Sequence, residues 1–189
     1  MGCDDRALAT KDGVSVRIAR IEDLSHIVEI ERESFPGYDH AFNYGILELW
    51  HAHNPEIFMV LENGNGPILG YCAIVPVTER LFREIVNGRV SSLSSFPRVD
   101  VLRQWRKSQY IHFEVIALRS DREFSTAIGA FYLRFAKSWA EDRAPFITAS
   151  PITPVGVKLC QAYGFRKIAE ERIHSHTYPI YLSSPQERA

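Results

Sequence analysis

Two apolar runs, Ile57 to Glu62 and Ile68 to Val77, flank the segment Asn63-Gly64-Asn65-Gly66-Pro67. Asn-Gly steps supply the positive φ that a tight reversal needs, and Pro ends pairing, so this stretch predicts an antiparallel hairpin. The fold is thereby committed to a sheet with at least one antiparallel strand pair. The other elements must join that sheet or cover it.

The periodicity supplies those elements. Val14 to Arg20 alternates apolar and polar residues, as a half-buried strand does. Asp23 then precedes a helical stripe of Leu24, Ile27, Val28 and Ile30, which Phe35-Pro36-Gly37 ends. A second helix is expected over Phe42 to His53, with Ile46, Leu49 and Trp50 on one face. Tyr110 to Leu118 reads as a strand, and Phe124 to Trp139 as a helix with Ile128, Phe131, Tyr132, Phe135 and Trp139 facing the core. Phe146 to Ser150 reads as a strand, and Val155 to Tyr163 as a short helix closed by Gly164, the usual left-handed cap. Phe165 to Ala169 and His174 to Leu182 are the last strands. The order is β-α-α-β-β-insert-β-α-β-α-β-β, an α/β (α+β) chain with a mixed, mostly antiparallel central sheet.

One domain is expected over residues 14–182, with a loose arm at 1–13 ending in Asp12-Gly13 and a tail at 183–189. The insert at about 79–109 is locally basic, with seven basic residues against three acidic ones. Its simple reading is a solvated cover with Leu81, Phe82, Val99 and Leu102 packed inward. The sharper reading gives its arginines an anionic group on a substrate.

Composition removes several classes. The formal net charge is −1 and no nucleic-acid reader motif occurs, so nucleic acid is not the expected partner. No apolar run approaches the ~20 residues of a membrane helix. Position 6 is Arg, where a myristoylation pattern wants Ser or Thr. The three cysteines (Cys3, Cys72, Cys160) are scattered, which fits a reducing, cytoplasmic setting. The pairs His51-x-His53 and His174-x-His176 lack the ligand spacing of zinc, and no metal is expected.

Three segments, in this order along the chain, carry a resemblance. They are Val16-Arg17-Ile18-Ala19-Arg20-Ile21-Glu22-Asp23-Leu24, Gly70-Tyr71-Cys72-Ala73 after the hairpin, and Gly156-Val157-Lys158-Leu159-Cys160-Gln161-Ala162-Tyr163-Gly164-Phe165. Together they resemble the GNAT superfamily of acyl-CoA-dependent N-acyltransferases, over roughly residues 14–182. The resemblance implies helices on both faces of the sheet and a domain that binds acetyl-CoA or another acyl-CoA as co-substrate. It also implies transfer of an acetyl group to a small-molecule or peptide amine by direct attack in a ternary complex. A homodimer is compatible with it.

The resemblance also assigns candidate residues. The family's phosphate loop, R/Q-x-x-G-x-G/A, aligns with Phe124-Ser125-Thr126-Ala127-Ile128-Gly129, so the cofactor would meet Leu118, Ser125, Thr126, Ala127, Gly129 and Ala130. Backbone N–H groups at a helix N-terminus cradle phosphate in that motif. Two departures stand out: Phe124 replaces the basic residue and Ala127 the first glycine. Arg119 and Arg122, just upstream, offer replacement charge. Without cofactor the same residues read as a helix capped by Ser125 or Thr126. Thr153 falls where relatives often carry Asn beside the pantetheine arm. Cys160 takes the place of the family's usual acid, a tyrosine. It reads either as a weak proton donor to the leaving thiolate or as a small buried hydrophobe.

Acyl transfer to an amine needs a base, because most amines are protonated at neutral pH. In a strand, residues i and i+2 share a face. His112 and Glu114 therefore point the same way, and the resemblance places the base at one or other of them. Their alternative readings are a core histidine and a structural partner of the basic insert. Two further readings remain open: an acyl-CoA-binding or regulatory module without turnover, and a transferase with a longer acyl donor.

Overall fold

A computed structural model describes residues 7–36, 43–64, 66–90, 92–119, 126–173 and 176–184. The strands are β1 Ala9–Lys11, β2 Val14–Ile18, β3 Phe58–Asn63, β4 Ile68–Val77, β5 Tyr110–Leu118, β6 Phe146–Ala149, β7 Arg166–Ile173 and β8 His176–Ser183. The helices are α1 Leu24–Ser34, α2 Tyr44–His53, α3 Glu79–Val86, α4 Thr126–Glu141 and α5 Pro154–Ala162. The strands are ordered β1-β2-β3-β4-β5-β6-β8-β7 in one mixed sheet. β1 with β2, β2 with β3, β3 with β4, β6 with β8 and β7 with β8 pair antiparallel, whereas β5 pairs parallel with β6, which α4 separates in sequence as a parallel crossover requires. The chain clusters into two compact units, Met1–Ala73 with Val115–Ser138, and Ile74–Glu114 with Trp139–Ala189.

The first unit is built on the hairpin expected from the turn chemistry, with Phe58 opposite Ala73 and Glu62 opposite Ile68. Its buried side chains include Leu24, Ile27 and Ile30 of α1, Leu47 of α2, Phe58 to Leu61 of β3 and Tyr132 of α4. Each such side chain contributes roughly 1.5–3 kcal/mol on burial. Here the expected arm is corrected. Ala9–Lys11 pairs with β2, and Asp12 (φ 49°) and Gly13 (φ 82°) make the two-residue reversal between them. Asp-Gly is a preferred sequence for a turn with two positive φ values, so the segment closes a hairpin.

Within this unit β2 is tied to α1 by a buried ion pair. Arg17 donates to both carboxylate oxygens of Asp23, at 2.5 and 3.1 Å, and to Glu62 of β3 at 2.7 Å. The Arg20 N–H also donates to Asp23, at 2.7 Å. Asp23 was expected to cap α1, but its side chain accepts no bond from that helix. Burial by itself would raise the Asp23 carboxyl. Hydrogen bonds from Arg17 and then from the Arg20 N–H, with the charges of both arginines, outweigh it and hold the group below its usual range.

The second unit contains α3, the rest of the insert, β6, α5, β7 and β8. Thr78 caps α3 by accepting from the Leu81 N–H at 3.3 Å. The insert adds three short 3-10 turns at Leu93–Ser95, Arg98–Asp100 and Trp105–Lys107, where the sequence suggested a helix over Val99 to Trp105. Its inward residues are Leu81, Leu93, Phe96, Val101 and Trp105, whereas Val99 is 81% exposed, against the expectation that it packs inward. Val101 takes that place because it bridges to Val77 of β4. Ser183, placed in the tail by the sequence reading, is instead the last residue of β8 and faces Ile147.

Gly88 follows α3 at φ 71°, and a Cβ there would lie 2.3 Å from the Glu170 carbonyl oxygen. Gly88→Ala meets both a left-handed backbone and a clash with main chain, and is expected to cost more than about 2 kcal/mol. Gly13→Ala, with φ 82° and nothing within 4 Å, should cost only the backbone penalty of about 1–2 kcal/mol. Urea denaturation of the two variants checks the difference.

Candidate functional site

In the second unit, β5 carries the two residues singled out as base candidates, and they do share a face. His112 Nε2 lies 3.4 Å from Glu114 Oε2, and the His112 side chain is fully buried. The other ring nitrogen, Nδ1, is 3.0 Å from Thr148 Oγ1 on β6, the residue in parallel register with it. The edge of the Phe96 ring meets the imidazole, with centroids 5.5 Å apart.

Glu114 is held by the insert, though not through its arginines. Ser92 Oγ donates to Oε1 at 3.2 Å and the Leu93 N–H to Oε2 at 2.9 Å. A carboxylate whose side chain is only 8% exposed needs such donors, because an unpartnered buried charge costs several kcal/mol. The constellation is thus a carboxylate oriented by two donors and a buried imidazole beside it. Such a pair can accept and hold a proton. Ser92, Leu93, Phe96 and Thr148 were not picked out from the sequence. The insert has no periodicity at 92–96, and the β5–β6 register is invisible in either strand alone.

Six of the insert's seven cations divide into two groups, with Arg98 exposed beside them. Arg80 pairs with Asp100, Arg83 with Glu79 and Arg89 with Glu84. Arg103, Arg106 and Lys107 are exposed and make no ion pair among the described residues.

Cys160 and Thr153 also lie in this unit. Burial pushes the Cys160 thiol up to about 12, the wrong direction for a group asked to protonate a leaving thiolate. The Thr153 hydroxyl accepts from the Gly156 N–H at 3.0 Å and so caps α5.

Apart from Thr153, the described residues expected at the cofactor fall in the first unit. Arg122 and Ser125 lie outside the described residues, as does Phe124. Leu118 ends β5 between two glycines: a Cβ on Gly70 would lie 2.4 Å from its Cδ2, and one on Gly129 would lie 3.4 Å from its Cδ1. Thr126 begins α4, Ala127 is exposed, and Gly129 and Ala130 follow half-buried in the first helical turn. The N–H groups of the first four helical residues, 126–129, have no intrahelical acceptor, so they suit an anion. Arg119 is not a spare charge. It donates to Glu33 at 3.3 Å, to Glu29 at 3.1 Å and to the Ile68 carbonyl at 3.1 Å.

No cluster of three potential metal ligands occurs among the described residues. His51 Nε2 donates to the Ala19 carbonyl at 2.9 Å, and His53 packs edge-on against Trp50. His174 lies outside the described residues. No described helix is long and apolar enough to cross a membrane.

No protein-family model matches the sequence, and no curated protein does. Solved structures do. The loading GNATL domain of CurA from Lyngbya majuscula superposes with a TM-score of 0.69 at 11% identity, covering 92% of this chain and 98% of that one. The GphF GNAT-like decarboxylase, in complex with isobutyryl-CoA, gives 0.64 at 13% identity over 89% and 98%. The structure of yncA from Salmonella typhimurium, described as an acetyltransferase and solved with its cofactor acetyl-CoA, gives 0.59 at 12% identity over 93% and 96%. At these identities the likeness establishes the fold, which is that of the GNAT proteins.

Proposed function

We propose that the chain is a cytoplasmic N-acyltransferase that moves an acetyl group from acetyl-CoA to an amine by direct attack in a ternary complex. One observation carries the reading: a GNAT fold whose β5 presents a carboxylate, Glu114, oriented by Ser92 and Leu93 beside the buried His112. Acetyl-CoA supplies the thioester. The amine nitrogen attacks the thioester carbon, the C–S bond breaks, and CoA leaves as the thiolate. Glu114 takes the proton the amine gives up. With the Cys160 thiol at about 12, its proton would move uphill to a thiolate whose acid lies near the ordinary thiol value of about 8.5, so Cys160 is given no part in protonating CoA, which leaves as the thiolate.

The set at the start of α4 fits the phosphate end of the co-substrate, with Leu118, Thr126, Ala127, Gly129 and Ala130 as the residues proposed to meet it. CoA or acetyl-CoA is expected to raise the melting temperature, since a ligand of the native state stabilises it by mass action. Calorimetric titration to millimolar CoA with neither heat nor a shift in melting temperature would remove the co-substrate from the account. Mass spectrometry of any CoA species that co-purifies identifies the acyl chain. The isobutyryl-CoA on GphF makes longer donors part of that test.

A second reading has specific support. Phe124 and Ala127 depart from the family's phosphate loop, and burial makes Cys160 a poor acid. These departures favour an acyl-CoA-binding or regulatory module without turnover. It is distinguished by tight CoA binding with no acylated product.

For the acceptor, we propose that the insert's exposed cations meet an anionic group. Arginine forks match carboxylates bidentately, and a charge-assisted bond is worth about 1.5–3 kcal/mol, or roughly tenfold or more in preference. Reversing charge at Arg98, Arg103 and Arg106 should therefore cut the preference for carboxylate-bearing amines about tenfold. Unchanged preference across an amine panel would return the insert to a scaffold.

A further inference from the structure

We propose that Thr148 fixes the tautomer of His112: Nδ1 keeps its proton in every state, and the proton that comes and goes lies between Nε2 and Glu114. The inference gives Thr148 a positioning role. It deepens the transferase reading and rests on it for its catalytic meaning.

Thr148 has one hydroxyl proton and two neighbours within reach of it. Thr148 Oγ1 is 3.0 Å from His112 Nδ1 and 3.2 Å from the Ile111 carbonyl oxygen. A carbonyl only accepts, and a hydroxyl has a single proton to give. Were that proton given to Nδ1, two oxygens would face each other at 3.2 Å with nothing between them. The order Nδ1–H to Oγ1–H to O=C satisfies both contacts. His112 and Thr148 are both fully buried, where a polar contact left unmade keeps its whole desolvation penalty. The register of β5 and β6 holds the chain of bonds in place, with Ile111 opposite Ile147 and His112 opposite Thr148.

The consequence falls on the other nitrogen. With Nδ1 protonated, the neutral ring turns a lone pair toward Glu114 Oε2 at 3.4 Å. That contact is a hydrogen bond only when one proton sits between the two atoms, on either of them. The groups facing this pair include Ser92 and the Leu93 N–H on the carboxylate, the Phe96 ring on the imidazole, and Thr148 behind it. Without the Thr148 hydroxyl, the neutral ring can carry its proton on Nε2 instead. Nε2–H would then bond the carboxylate permanently and compete with the amine's proton for it.

The test labels the histidine rings of the full chain with ¹⁵N and follows both ring nitrogens of His112 by NMR across pH, with His112→Asn identifying the signals. In the wild type, the neutral ring is expected to show Nδ1 in the protonated shift range and Nε2 in the unprotonated one. Thr148→Ser should behave the same way. In Thr148→Val, the neutral ring should carry its proton on Nε2, and turnover should fall about tenfold or more. A wild-type neutral ring protonated on Nε2, or a Thr148→Val spectrum like that of the wild type, overturns the proposal. If Thr148→Val does not fold, the wild-type and Thr148→Ser spectra decide. The spectra report the tautomer whether or not any amine is acetylated, so the proposal and the transferase reading fail separately.

Discussion

Glu114→Gln is expected to lower turnover by about 10²–10⁴-fold while leaving CoA affinity nearly unchanged. The substitution keeps the shape of the side chain and removes only its capacity to take a proton. Its amide oxygen can still accept from the Leu93 N–H, and its amide nitrogen can donate to Ser92 once that hydroxyl rotates, so both insert contacts are retained. The melting temperature should therefore move little, and a loss of activity reads as chemistry. Steady-state kinetics on an accepted amine, with calorimetry for CoA, separates the two effects. Full activity in Glu114→Gln would move the base to His112 or to water.

Asp23→Ala should destabilise the protein by about 3 kcal/mol, the lower end of the range for breaking a buried ion pair. The lower end applies because Arg17, left behind, still has Glu62 at 2.7 Å. The effect should depend on pH with a definite sign. The folded state holds the Asp23 carboxyl below its ordinary value. Its contribution is present in full above that ordinary value, near 4, and is lost as pH falls through the lower folded one. Urea midpoints of wild type and variant should thus differ at neutral pH and converge in acid. A gap that widens on acidification would contradict the assignment.

These two residues also show what could be read in advance. The ion pair of Arg17 with Asp23 was not legible: Asp23 reads from the sequence as the cap of α1, and its partner sits on the strand before it. The bounds of β4 and β5 were legible, since Asn-Gly-Pro punctuation opens the first and the second carries few polar positions. The apolar face of α2 was not. Ile46, Leu47, Leu49 and Trp50 surround that helix, so periodicity selects no face; the structure buries Leu47, Trp50 and His53 and leaves Leu49 45% exposed. In α4 the buried positions are Tyr132, Ala136, Trp139 and Ala140, while Ile128, Phe131 and Phe135 are half-exposed. Size drew attention to the aromatics, yet alanine lets neighbouring backbone approach and fills the tightest places. At the site, the His112–Glu114 pair followed from strand alternation alone. Its supports come from elements distant in sequence: Thr148 depends on a parallel register, and Ser92 and Leu93 on a loop without period.

The central claim is acyl transfer, and the most direct measurement mixes the purified chain with isotopically labelled acetyl-CoA and a panel of amines, then follows free CoA thiol and product mass together. The account expects CoA release that depends on an amine, one labelled acetyl group on that amine, and loss of both in Glu114→Gln. Binding of acetyl-CoA with no acetylated amine anywhere in a broad panel, or identical product formation by wild type and Glu114→Gln, would contradict it.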